Sequence, residues 1–240
     1  MTPSGDLRYD IRMLGSAKHH TGAEGEMKLY RLAGVLAPAV GFWLAGRTDL
    51  QRTKLAEQLI AMFMALAVPS PNAMQKKAIR LFGAVLFRMM AAARLRGNDV
   101  LWQWGADLLA EIGGRRAPVW AEQMKVDSNR LDQMVALQDR EDELFGVTGS
   151  WEVRTADCAI KVETACPFAA CASVAPELCT EVVHRFETET YRALNPSYTL
   201  DKLVEPLLST GGKHCRFVHR LSRHEAPANH QDMQPDGRLG

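Results

Sequence analysis

A chain of 240 residues is long enough to bury a core of its own and fits one or two domains. With 47% hydrophobic and 24% charged residues it has a globular composition, and a net charge of +1 provides none of the broad attraction that nucleic acid binding needs. All five cysteines fall between Cys158 and Cys215, and an odd number cannot pair fully within one chain, so a reduced, cytoplasmic location is expected.

Residues 1–26 are polar, contain Pro3, Gly5, Gly15 and Gly22, show no secretory pattern, and read as a flexible arm. The helical region is expected over 27–148. It opens on Leu32 to Gly46, an uncharged run of 15 residues between Arg31 and Arg47. A spanning helix needs about 20 residues, and Pro38 interrupts this run, so a buried helix or hairpin is expected and no membrane span. Thr48 and Gln51 form a capping-box pair ahead of a helix carrying Leu55, Leu59, Met62, Phe63 and Leu66, ended by Pro69 and Pro71. Asn72 caps the next helix, whose stripe is Met74, Ala78, Leu81, Phe82, Val85, Leu86 and Met89, closed by Gly97. A shorter helix from Asp99 should stop at Gly113-Gly114, and Pro118 should start another that runs to about Phe145. The Met and Trp stripes read as core packing.

The period changes at Gly149. Trp151 and Val153 alternate with Glu152 and Arg154; Cys158, Ile160 and Val162 alternate with Ala159, Lys161 and Glu163. This predicts two short strands, or one bent strand. Phe168 to Arg192 reads as helix with a break near Pro176, Asn195-Pro196 as a turn, and Leu200 to Leu208 as a short helix. After Gly211-Gly212, a strand places Cys215, Phe217 and His219 on one face. Residues 223–240 read as a disordered tail. The fold class is therefore α+β: a helical N-terminal region packed on a small C-terminal antiparallel sheet with helices, the cysteine-rich region being 149–222.

The cysteine spacing, Cys158-x7-Cys166-x4-Cys171-x7-Cys179-x35-Cys215, contains no CxxC pair, so no preformed metal knot is indicated. Cys158 on a strand and Cys171 among alanines read as small buried hydrophobes. Cys166, Cys179 and Cys215 border polar or turn residues and are the candidate thiols, Cys166 with a helix N-terminus to lower its pKa. A nucleophilic thiol needs a base and an orienting group. His184, His214 and His219 are the candidate bases, the first two preferred; Glu177 and Glu181 are the candidate acids or orienters. HExxH, GxSxG, a P-loop and a strand–GxGxxG–helix are all absent, which argues against several common enzyme classes.

Cys166-Pro167-Phe168, Pro176-Glu177-Leu178-Cys179, Asn195-Pro196 and Gly212-Lys213-His214-Cys215-Arg216-Phe217 follow one another in an order that resembles the L-2-amino-thiazoline-4-carboxylic acid hydrolase family. The resemblance covers about residues 150–221. It departs from the family at Lys213, where an acidic residue is expected. It implies a hydrolase-like enzyme that opens a small heterocycle containing nitrogen and sulfur, by thiolate attack on a C=N carbon or by metal-activated water. It also puts Asn195, Phe168 and Phe217 among the substrate-binding residues. No cofactor is predicted, and a metal ion on the Cys/His set is the alternative. A second resemblance, to the small-molecule-binding domains related to 4-vinyl reductases, rests on the Gly-x-x-Cys-x-Phe strand alone and implies a non-catalytic sensor. The expected partners are a small-molecule substrate and a second copy of the chain joined through the N-terminal helices.

Overall fold

The computed structural model describes residues 23–222, with side chains from Arg31 onward. The proposed tail and most of the proposed arm lie outside these residues. The fold is α+β. Four long helices come first: α1 (Ala23–Ala45), α2 (Asp49–Leu66), α3 (Ala73–Leu95) and α4 (Asp99–Met124). The short helices α5 (Leu131–Met134) and α6 (Ala136–Phe145) lead into strands β1 (Thr148–Arg154) and β2 (Cys158–Ala165). Then come a single turn, α7 (Ala169–Ala172), a π-helical turn over Leu178–Val183, α8 (His184–Arg192), β3 (Tyr198–Leu200), a 3-10 turn over Leu208–Thr210 and β4 (Cys215–Leu221). The strands form one antiparallel sheet in the order β1-β2-β4-β3.

Local chemistry accounts for most helix ends. Thr48 and Gln51 close a reciprocal capping box on α2, and Asn72 and Gln75 close another on α3, each pair satisfying two backbone donors that the first turn leaves without partners. Gly97 and Gly146 adopt positive φ just beyond α3 and α6, where a Cβ would be strained.

Four expectations need correcting. The uncharged run at 32–46 is helical, but it lies on the surface: Ala33, Ala37 and Leu44 are buried, while Val35 and Phe42 are 74% and 88% exposed. The predicted stop at Gly113-Gly114 does not occur, because α4 continues through both glycines and through Pro118 to Met124. Its end is Lys125, in the left-handed region at φ 56°, so the predicted helix from Pro118 to Phe145 is broken there. Residues 201–207 are irregular rather than helical, following the short edge strand β3. Among the described residues, no helix is long and apolar enough to cross a membrane.

The apolar core has two parts. Phe63, Ile79, Met90, Leu108, Ile112 and Trp120 belong to the helical layer, joined by Leu178, Val182 and Phe186 from the C-terminal region. Leu131, Met134, Tyr191, Tyr198, Phe217 and Leu221 pack on the sheet. Cys179 and Val183, on the π-helical turn, touch both parts. The site forms at this junction.

Candidate active site

The inner face of β2 is the unexpected part of the site. Alternation predicts that Cys158, Ile160 and Val162 share one face, and they do, but that face is only half-buried. The buried face carries Ala159, Lys161 and Glu163, with Lys161 2% exposed. The register with β4 sets Glu163 opposite Cys215, Lys161 opposite Phe217 and Ala159 opposite His219. A row of charged groups therefore lies under the helical layer, beside the buried cysteine, phenylalanine and histidine of β4. Cys158, expected to be buried, is on the outer face.

Above this floor is a cavity of about 90 Å³. Its thiols are Cys166, at the end of β2, Cys179, on the π-helical turn, and Cys215, on β4. Its carboxyls are Glu141 and Asp142 of α6, Glu163 of β2 and Glu187 of α8. Phe87, Phe145, Phe168 and Phe217 supply its aromatic wall. Phe168 stacks on Phe87 with ring centroids 4.7 Å apart and meets Phe145 edge-on at 5.9 Å, which fixes the wall. A π-helical turn widens the helix by one residue per turn and is frequent at functional sites; here it carries Cys179.

Burial governs the protonation of these groups. It pushes all three thiols up, Cys215 to about 11, and the neighbouring Glu163 charge adds to the rise in each. Cys166 also receives a lowering contribution from the Phe168 N–H, but burial outweighs it, and α7 is a single turn that supplies no strong dipole. The expected lowering of the Cys166 pKa is thus reversed. Glu163 is raised well above the carboxylate range by burial and by the charges of Asp142 and Glu187. Glu187 is raised to about 8, first by burial and then by Asp142.

Cations behind the wall hold the acids in place. Lys161 Nζ lies 2.8 Å from Asp142 Oδ2 and 2.9 Å from Asp139 Oδ1, and 4.6 Å from the centroid of the Trp151 ring. Arg116, fully buried on α4, pairs with Glu141 Oε1 and lies over the Trp120 and Phe186 rings. Burial lowers Arg116 to about 10, which leaves it charged at neutral pH. The Sγ of Cys179 is 3.7 Å from Ser209 Oγ, and Cys215 Sγ accepts the Leu208 N–H at 3.4 Å.

Of the residues singled out from sequence, the cavity brings together Cys166, Cys179, Cys215, Phe168 and Phe217. The rest lie elsewhere. His184 Nε2 is 3.1 Å from the Leu200 carbonyl, and His214 is exposed. Glu177 pairs with Arg94 at 3.1 Å and is held below the usual carboxylate range, first by its own backbone amide. Glu181 is exposed on the outside of the π-helical turn. Asn195 braces a turn, donating to the Ser128 carbonyl and accepting from the Ser197 N–H. Among the described residues no histidine lines the cavity, and the proton-carrying groups there are carboxyls that sequence reasoning missed: Asp142, Glu163, Glu187 and Glu141. A signal did exist for Glu163, which shares a strand face with Lys161. For Glu187 it was the helical stripe Phe186, Glu187, Thr190 and Tyr191.

His219 is buried, with Nδ1 2.8 Å from Tyr198 Oη, and burial pulls it down to about 3, so it is neutral. A larger groove of about 440 Å³ between α4 and α8 is open to solvent and carries surface ion pairs such as Arg185–Asp107, without any cysteine. Among the described residues, no three His, Cys, Asp or Glu side chains are grouped to hold one metal ion. No family model, no curated protein and no solved structure matches this chain.

Proposed function

We propose that this chain is a hydrolase-like enzyme that opens a small nitrogen- and sulfur-containing heterocycle in the cavity between the helical layer and the sheet. One observation carries the reading: Cys166, Cys179 and Cys215, from three different segments of the C-terminal region, line one cavity with Glu163 and Glu187. The ordered motifs that resemble the L-2-amino-thiazoline-4-carboxylic acid hydrolases support it from the sequence side.

The protonation states set the order of events. Each thiol is protonated at rest, and burial keeps Glu187 protonated up to about pH 8, so the reactive form is the one in which Glu187 has ionised: the thiol proton passes to Glu187 as sulfur adds to the C=N carbon. The ring C–S bond then breaks, and the departing sulfur takes a proton from Glu163, whose raised pKa keeps it an acid at neutral pH. Water attacks the remaining carbon, one of its protons restoring Glu163 and the other going to the former ring nitrogen, and the departing enzyme sulfur takes its proton back from Glu187. The phenylalanine wall excludes bulk water until that step.

The test is a set of three variants, Cys166→Ser, Cys179→Ser and Cys215→Ser, assayed on aminothiazoline-type rings by release of free thiol. At least one should lose about 10³-fold or more in kcat/KM. Full activity in all three overturns the reading. A binding or sensor module is the second reading, favoured by the protonated thiols and by a cavity wall whose described residues include no histidine. It predicts that a bound ring is recovered unchanged.

A further inference from the structure

We infer that the cavity selects a small, flat cationic group of the amidinium or guanidinium type and turns carboxylates away. This rests on reading the cavity as a substrate site and names the class of ligand it takes.

Every ionisable side chain of the cavity wall, apart from the thiols, is an acid: Glu141, Asp142, Glu163 and Glu187. No lysine, arginine or histidine is among the described residues that line it. Lys161 and Arg116 neutralise part of this charge from behind, but they do so unevenly. Lys161 engages Asp142, and Arg116 takes Oε1 of Glu141. The second oxygen of Glu141 and Oε2 of Glu187 have no hydrogen-bond partner among the described residues, although the two residues are only 3% and 6% exposed. A buried carboxylate oxygen without a donor has given up its water without replacement, and this costs more than it does for a neutral group. A ligand with paired N–H donors supplies what both oxygens lack, in the geometry that amidinium and guanidinium groups share.

The rest of the wall suits the same ligand. Phe87, Phe145, Phe168 and Phe217 offer aromatic faces and edges, and a planar cation gains from a ring face. The volume of about 90 Å³ admits a group of a few heavy atoms. An anion meets the opposite conditions: Asp142 and Glu187 raise Glu163, Asp142 raises Glu187, and among the described residues no lysine, arginine or histidine lines the wall to offset a further negative charge. The chain as a whole, at a net charge of +1, exerts no general pull on cations that would mimic this selectivity.

The experiment compares twins of equal shape and opposite charge by calorimetric titration of the whole chain at pH 8.5. The pairs are acetamidinium against acetate and benzamidinium against benzoate. At least one amidinium should bind ten times or more tightly than its carboxylate twin. Glu187→Gln and Glu141→Gln should each weaken that binding at least fivefold while the circular dichroism spectrum stays unchanged. The twin comparison uses the unaltered chain, so it stands even where a variant fails to fold. A carboxylate that binds as well as its twin, or the absence of binding by either, overturns the inference. Turnover is read separately. Ring opening that runs best on carboxylate-bearing rings overturns the ligand class and leaves the ring-opening reading intact. Tight amidinium binding without turnover of any ring does the reverse.

Discussion

Glu187 and His219 are two buried groups whose titrations oppose each other. Glu187 has an ordinary value of 4.5 and is raised to about 8, chiefly by burial. Between those values the native chain holds a proton that the unfolded chain has released. Its contribution to stability is therefore full below 4.5 and is lost as pH rises through 8. His219 is lowered from 6.5 to about 3, so its contribution is full above 6.5 and is lost as pH falls through 3. Glu163 acts in the same sense as Glu187. The urea midpoint should therefore fall between pH 6.5 and 8.5, and Glu187→Gln should reduce that slope. A slope unchanged by the variant contradicts the assigned proton. At this scale the thiols were legible because Cys166, Cys179 and Cys215 each border a turn or polar residue. The proton carriers were not legible, because a lone Glu on an alternating strand or an amphipathic helix reads as a solvated residue unless its neighbours in space are known.

At the scale of elements, the close approach of α4 and α8 explains the glycine pair that looked like a helix stop. A Cβ on Gly113 would fall on Thr190 Oγ1 and lie 3.1 Å from the Phe186 carbonyl oxygen, whereas one on Gly114 has no neighbour nearer than the Glu189 carbonyl oxygen at 3.9 Å. Gly113 is there to let α8, which carries Glu187, come close to α4. Gly113→Ala should therefore destabilise the chain by about 1–3 kcal/mol. Gly114→Ala should stabilise it by about 0.5–1 kcal/mol, because alanine is the better helix former. Paired denaturant melts check both, and equal effects would contradict the packing. Helix starts were readable here because a capping box is a local hydrogen-bond exchange between residues three apart, as at Thr48 and Gln51. Helix continuation through Gly113 and Pro118 was not readable, because packing against another element overrides local propensity.

At the scale of the molecule, the cavity spans the junction of the two apolar clusters, and the ion pair between Lys161 of β2 and Asp142 of α6 crosses it. The C-terminal sheet has its charged face buried against α6 and α8, so opening it alone would expose apolar wall and separate Lys161 from Asp142. The helices and the sheet should therefore unfold together. Circular dichroism reports the helices, and pulse alkylation of buried Cys215 reports the sheet; their denaturant transitions should coincide. Labelling of Cys215 well before loss of helix would show that the region from Gly149 onward unfolds independently.

The sequence by itself determined the α+β class, the change of period near Gly149, the caps of α2 and α3, and the window in which the thiols lie. These follow from interactions within a few residues and from simple periodicity. Only the tertiary structure decided which face of β2 is buried, because alternation defines two faces and burial depends on what packs against each. That decision turned Lys161 and Glu163 inward, where Asp139 and Asp142 of α6 balance the lysine. It set Cys215 beside Glu163 and left His184 and His214 outside, so carboxyls rather than histidines share the cavity with the thiols.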